Sequence, residues 1–304
     1  MSDNIKIKKY YKLKSRFSDI QQINEELSLD TIQNFDKIKE KEIEPTIQNI
    51  HENIFEEDLS IVIDNLVNFY FKEINEGKDY NLRQQHILNY LNEHKINLQE
   101  INNWLLNNQN DSNSIYLLGY FNCNGIGIDV NKQKAFKLYE KAVELENKAA
   151  QFDFAIMHMQ GKVVGKNHDK TFELSKKLAE KEYPGGITLL GHCYDKGIGT
   201  DTNLQKAFEL YQKSADLGNI CGINNLGCYY NHGVGTDINK QKAVELYQKA
   251  ADSGYNIAQY NLALMYENGN GIKKDIIKAI YWYKKSAKQN YTNAQNKLKE
   301  LLNE

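Results

Sequence analysis

The chain has 304 residues, 41% hydrophobic and 26% charged, with 38 basic side chains against 40 acidic ones and a formal net charge of −2. That near-balance supplies no concentrated positive field, so neither nucleic acid nor an anionic membrane is expected as a partner, and no apolar stretch approaches the roughly 20 residues that span a bilayer. Four irregularly spaced cysteines (Cys123, Cys193, Cys221 and Cys228) do not make a disulfide framework and favour a reducing, cytoplasmic setting, with the nucleus left open.

Residues 1–45 lack sustained periodicity and read as a flexible charged segment. The start, MSDNIKIKKYYKLK, is basic but has no apolar core behind it, which argues against a secretory leader. Its Lys6, Lys8, Lys9, Lys12, Lys14 and Arg16 are interleaved with Tyr10, Tyr11 and Phe17. A solvated tail is the expectation here, ahead of nuclear import or membrane contact. Only two of the 38 basic residues are arginine, Arg16 and Arg83, and 37 residues are asparagine, a bias that makes no single asparagine informative.

Residues 46–113 read as a helical cap region. Leu59, Ile63, Leu66, Tyr70 and Ile74 recur at helical spacing and predict one amphipathic helix over 56–76, ended by Gly77. A second helix is expected from Asn81, carrying Ile87, Tyr90 and Leu91. A third opens at Asn97, with Glu100 completing a capping box and Ile96 with Ile101 forming a hydrophobic staple. Its apolar face is Leu98, Ile101, Trp104 and Leu105.

From residue 114 the chain repeats itself. Glycine occurs once in residues 1–118, as Gly77, and the other 18 lie from Gly119 onward. Residues 186–221 and 222–257 share 21 identities in 36 ungapped positions. Steps of 36 align Leu118, Phe154, Leu190, Leu226, Leu262 and Leu298, and likewise Gly125, Gly161, Gly197, Gly233 and Gly269. Five repeats starting at 114, 150, 186, 222 and 258, with a half-repeat from 294, account for residues 114–304. Each unit reads as two helices. Gly-x-Gly ends the first, and Asn131, Asn167, Asn203, Asn239 or Asp275 caps the second. Gly119, Gly191 and Gly227 fall inside first helices, where glycine costs about 1 kcal/mol relative to alanine. Close approach of an alanine column on the partner helix is the expected reason. Such a pair cannot bury its apolar face alone and must stack on neighbours.

In the fifth unit, Ala258, Leu262, Tyr266, Gly269, Gly271, Asp275, Lys278, Ala279, Trp282, Ser286 and Ala287 run in the order of the Sel-one-like repeats, relatives of tetratricopeptide repeats. Residues 114–304 resemble that family in five in-phase copies. The resemblance implies an all-α, right-handed superhelix of helix-turn-helix repeats, preceded here by the helical cap. The second unit departs from the pattern, with Val163, Thr171 and Ser175 in place of glycine, alanine and tyrosine, and with Pro184-Gly185-Gly186 following. Irregular stacking is therefore expected near 155–186. Residues 46–304 also resemble repeat arrays that follow protein kinase domains in certain fungal proteins, although no kinase glycine-rich loop, catalytic Asp–Asn loop or Asp-Phe-Gly is encoded here.

Three constellations imitate chemistry. Gly161 to Asn167 resembles a phosphate loop but has three residues, not four, between its glycines and no hydroxyl after Lys166. Asp129, Asn131, Gln133 and Glu140 echo a calcium loop, yet Lys134 stands where the sharp bend needs glycine. Cys228 and His232 lie four apart, with His192 and Cys193 one repeat earlier, but zinc needs three or four ligands converging on one point. No catalytic residue, cofactor or metal is assigned.

In the related tetratricopeptide fold the first helix of each pair lines the concave face. That resemblance places a partner-binding surface on Tyr116 and Tyr120, Phe152 and Ile156, Thr188 and His192, Asn224 and Cys228, and Tyr260 and Leu264. These columns vary while the packing columns do not, as a surface reading different parts of one ligand requires. The expected function is a non-catalytic scaffold or adaptor for a protein or peptide. A regulatory array acting with a protein kinase or its substrate in signalling is the alternative. A hydrolase of the secreted, cysteine-rich repeat type is the rival of another class, and it is disfavoured because the cysteines do not recur once per repeat.

Overall fold

Glycine and asparagine punctuate the repeats as their backbone chemistry requires. In each unit a glycine with φ between +66° and +73° (Gly125, Gly161, Gly197, Gly233 or Gly269) ends the first helix in the left-handed conformation. The side chains of Asn131, Asn167, Asn203, Asn239 and Asp275 then accept the backbone N–H groups that open the second helix. Both sets of caps are where the spacing puts them.

The structure, a computed structural model, describes residues 56–161 and 163–302. The charged segment 1–45, with its basic cluster, lies outside the described residues. Fourteen helices and no strand occur among those described. Three precede the repeats: α1 (Glu56–Glu76), α2 (Tyr80–Glu93) and α3 (Leu98–Asn107). The five pairs are α4 (Ser112–Asn124) with α5 (Lys132–Glu144), α6 (Lys148–Gln160) with α7 (His168–Glu180), α8 (Pro184–Lys196) with α9 (Leu204–Asp216), α10 (Ile220–His232) with α11 (Lys240–Asp252), and α12 (Asn256–Asn268) with α13 (Ile276–Lys288). The final helix, α14 (Thr292–Leu302), packs on α13. From α4 onward each helix packs on the next in sequence, so the pairs stack as an array.

The mid-helix glycines have a different neighbour from the one expected. A Cβ on Gly119 would lie 2.8 Å from the Tyr139 ring, and at Gly191 and Gly227 it would lie 2.9 Å from the rings of Tyr211 and Tyr247. The partner is a tyrosine, not an alanine: glycine leaves room for a ring from the paired helix. Repeat two carries Ser175 in the tyrosine column and Ala155 in the glycine column, and repeat five carries Tyr283 and Ala263 at these positions.

Repeat two, where irregular stacking was expected, pairs its two helices less extensively than the other four repeats do, and polar contacts stand in for part of the difference. The Thr171 hydroxyl donates to the Ala155 carbonyl at 3.2 Å, and Ser175 and Cys193 approach to 3.6 Å across the next interface. Pro184 does not interrupt the array. It begins α8, where its missing N–H and fixed φ suit the first helical turn. Gly186 lets α8 close on α7, since a Cβ there would lie 2.3 Å from the Cβ of Leu178.

The segment before the repeats folds onto them. Asp79 caps α2 and Asn97 caps α3, the latter accepting from the N–H groups of Gln99 and Glu100. Helix α3 packs on α4. Helix α1 goes elsewhere. It packs on α4, α6 and α8, the first helices of three successive repeats, and on α2. Leu59, Ile63, Leu66, Tyr70 and Ile74, the apolar stripe read from the sequence, are all buried, as are Val67 and Phe71. Full burial of each such side chain is worth roughly 1.5–3 kcal/mol, so α1 belongs to the core of the first repeats.

Candidate functional site

The end of α1 is tied to the array by backbone and amide chemistry. A helix terminus leaves carbonyls without intrahelical donors. Asn219, at the start of α10, supplies one: its amide donates to the Asn75 carbonyl at 2.9 Å and the Ile74 carbonyl at 3.3 Å. The same side chain caps α10 by accepting the Gly222 N–H at 2.8 Å, and it accepts the Thr188 hydroxyl at 3.1 Å. Asn75 in turn accepts the Gly185 N–H at 3.2 Å. Two glycines make the approach possible. A Cβ on Gly185 would lie 2.6 Å from Ile74, and Gly77, at φ +76°, would carry one 2.6 Å from Asn219 and 2.7 Å from the Cys221 backbone.

Helix α1 thus covers part of the face that the first helices of repeats one to three share, and beside it lies a cavity of about 620 Å³. Its floor comes from α6, α8 and the start of α10, through Phe152, Asp153, Ile156, Met157, Leu189 and Cys221. Its rim comes from Ile74 of α1, the Gly77–Tyr80 turn, Arg83 of α2, and Tyr255 ahead of α12. Cavities of this size accommodate a small molecule or a few side chains of a peptide.

The ten residues expected on the concave face divide into three groups. Phe152, Ile156, Thr188 and His192 line the cavity. Burial holds the His192 imidazole below its usual pKa, against the pull of Asp195. Tyr116 and Tyr120 are each 1% exposed and do not form an open surface. Tyr70 of α1 lies over both, with ring centroids 6.1 and 4.9 Å away. The expectation failed there because α1 fills that stretch. At the other end Asn224 is buried and accepts from Asn261, and the Cys228 sulfur accepts the Tyr247 hydroxyl at 3.2 Å. Tyr260 packs on Tyr283 and Tyr291, and Leu264 is half-buried in the same cluster. Asn224 and Cys228 thus sit at the joint between repeats four and five, Tyr260 packs within repeat five and against the segment after it, and none of the four lines the cavity.

Sequence reasoning missed a polar centre under α1. Asp153 of α6 accepts the Tyr116 hydroxyl at 2.9 Å and the Tyr70 hydroxyl at 3.2 Å. Burial raises its carboxyl above the usual range, opposed by Arg83 and by those two hydroxyls. The Arg83 guanidinium stands over Tyr70, Phe152 and Tyr80, at 4.9, 5.7 and 5.8 Å from the ring centroids. Glu73, also buried, holds Lys78 at 2.8 Å and His86 at 2.5 Å. The usable signal was rarity: a charged Asp153 in the apolar run KAAQFDFAIM, and an arginine in a chain that nearly always uses lysine.

The tempting constellations resolve into scaffold. Gly161 and Asn167 cap α6 and α7. His232 turns its Nδ1 to the Cys228 carbonyl at 2.9 Å, and no group of three or more His, Cys, Asp or Glu able to hold a metal occurs among the described residues. Burial pushes the thiols of all four cysteines up, away from the nucleophilic form. No described helix is long and apolar enough to cross a membrane.

Comparison with known proteins finds five repeats of one family in this part of the chain. A family model for the Sel1 repeat matches residues 112–147, 148–183, 185–219, 222–255 and 256–291. The chain is similar to the crystal structure of a Sel1 repeat protein from Oxalobacter formigenes, with 25% identity, a TM-score of 0.56, and coverage of 78% of this chain and 86% of that one. It also shares the fold of c5321, described as a protective antigen present in uropathogenic Escherichia coli strains and displaying an SLR fold, at 24% identity and a TM-score of 0.53. That match covers 82% of this chain but only 52% of the other. Among curated proteins none matches the chain closely. The array is a tetratricopeptide-like helical repeat superhelix.

Proposed function

The chain belongs to the Sel1 repeat family, whose members are generally scaffolds for protein interactions, and we propose that it is a non-catalytic scaffold holding a partner protein or peptide in the inner-face cavity beside α1. The observation that carries this reading is the seating of α1 itself. An amphipathic helix laid across α4, α6 and α8 supports the reading that this face takes an apolar helical segment. The adjoining cavity continues the same face, with Phe152, Ile156 and Met157 as apolar anchors beside Thr188 and His192. A non-catalytic role is supported by the engagement of the reactive groups: the cysteines are held as thiols by burial, and Asp153 is occupied by two tyrosine hydroxyls. Four free cysteines suit an intracellular, reducing location, which forms part of the proposal.

The test is selection of binding peptides from a random display library against the full chain, followed by Ile156→Lys and His192→Glu variants. Both positions are only half-buried, so the fold is expected to survive, as circular dichroism will show. Loss of about tenfold or more in affinity, or about 1.4 kcal/mol, is expected at each. Folded variants that keep the wild-type affinity would place the partner on another surface.

A further inference from the structure

Arg83 is 7% exposed, yet its Nε and Nη1 have no hydrogen-bond acceptor among the described residues. Guanidinium is always charged, carries five donors, and is costly to bury with those donors unmet. Here three aromatic rings offer it their faces, which steadies the cation but leaves the edge N–H groups unsatisfied. Asp153 contributes an opposing charge without a direct ion pair, and its Oδ2 accepts the hydroxyls of Tyr70 and Tyr116. Arg83 lines the inner-face cavity, among walls that are largely apolar. The Tyr120 hydroxyl nearby is likewise buried without a partner.

We propose that Arg83 is a carboxylate-binding residue of the groove, receiving an acidic group of a partner peptide whose neighbouring aromatic or aliphatic side chain rests on Phe152, Ile156 and Met157. The inference rests on the groove being the partner-binding face. A planar carboxylate matches the fork of donors that the guanidinium presents. The other charged groups of the lining are Lys78, already paired with Glu73 and Glu76, and Lys132, Asp79 and Asp153. With two carboxyl groups already in the lining, a singly charged carboxylate suits the site better than a doubly charged phosphate.

The sequence makes the test selective, because Arg16 and Arg83 are its two arginines. Full-length protein labelled with ¹⁵N only in arginine gives two Nε–H signals, assigned by Arg16→Lys, which leaves the groove untouched. Titration with phenylacetate is expected to move the Arg83 signal to saturation and leave that of Arg16 in place, while neutral phenylacetamide moves neither. Equal shifts with both compounds, or none with either, would overturn the carboxylate assignment. The wild-type titration does not depend on a variant folding. Peptides selected for the proposed function supply the second arm, in which either C-terminal amidation or Glu→Gln and Asp→Asn exchange should weaken binding about tenfold. Whichever change acts identifies a chain terminus or an acidic side chain as the source. If neither acts while Ile156→Lys still abolishes binding, the carboxylate proposal fails and the groove reading stands. If no peptide depends on Ile156 or His192, the groove reading fails and takes this proposal with it.

Discussion

Replacing Asn219 by alanine removes the polar joint between α1 and the array, and its cost can be compared with that of a cap that has no such second role. Asn219 is 1% exposed and makes four hydrogen bonds, whereas Asn239 is exposed and its side chain accepts only the Lys242 N–H. Loss of an N-cap alone costs about 1 kcal/mol, the expectation for Asn239→Ala. In Asn219→Ala the Ile74 carbonyl keeps the Gly77 N–H and Thr188 keeps Ser214. The Asn75 carbonyl, however, is left without its donor in a closed interface, adding about 1–3 kcal/mol. The total is about 2–4 kcal/mol. Urea unfolding of both variants gives the comparison, and amide exchange locates it. If about 2 kcal/mol falls on the docking of α1, exchange across residues 66–77 should rise about 30-fold in Asn219→Ala, at 1.4 kcal/mol per factor of ten. Equal costs for the two variants, with exchange in α1 unchanged, would refute the joint.

Three further outcomes follow from the same contacts. Burial raises the Asp153 carboxyl above its ordinary value near 3.8, so the folded state holds that proton more tightly than the unfolded chain does. Its contribution to stability is complete below about pH 3.9 and is lost as pH rises through the folded value, so the stability of wild type minus Asp153→Asn should decline over that interval and then level. Gly227→Ala should destabilise by about 1–3 kcal/mol despite alanine's better helix propensity, because its Cβ meets the Tyr247 ring at 2.9 Å; Gly165→Ala, with open space around it, should stay within about 0.5 kcal/mol. Amide exchange should be faster across residues 155–186 than across 190–283, since the helix pair of repeat two packs less extensively than the others, and uniform protection would show that the Thr171 hydroxyl and Pro184 make up the difference.

The repeat array was legible because it is written five times. A 36-residue period, a helix-ending glycine and a helix-capping asparagine each encode local backbone geometry, which a single sequence displays directly. The position of α1 was not legible. Amphipathic spacing in Leu59, Ile63, Leu66, Tyr70 and Ile74 says that one face is buried, but not which surface buries it, and an end cap and an inner-face helix carry the same stripe. The features that fix its location look like irregularities in one dimension. Gly185 reads as a break in repeat two and is in fact the contact point for Ile74, while Asn219 reads as one asparagine among 37. The candidate site was half legible for the same reason: Phe152, Ile156, Thr188 and His192, grouped by periodicity, line one cavity, but Arg83 and Asp153 meet only because α1 and α2 fold back over α6.

The central claim is that a partner occupies the inner-face cavity beside α1, and the methionines report on it directly. Of the four in the chain, Met157 and Met159 line the cavity, Met265 is buried in repeat five, and Met1 lies outside the described residues. Methyl spectra of ¹³C-methionine protein, recorded with and without a peptide selected for binding, should show the signals of Met157 and Met159 moving while Met265 stays fixed. Binding that leaves Met157 and Met159 unmoved would contradict the account.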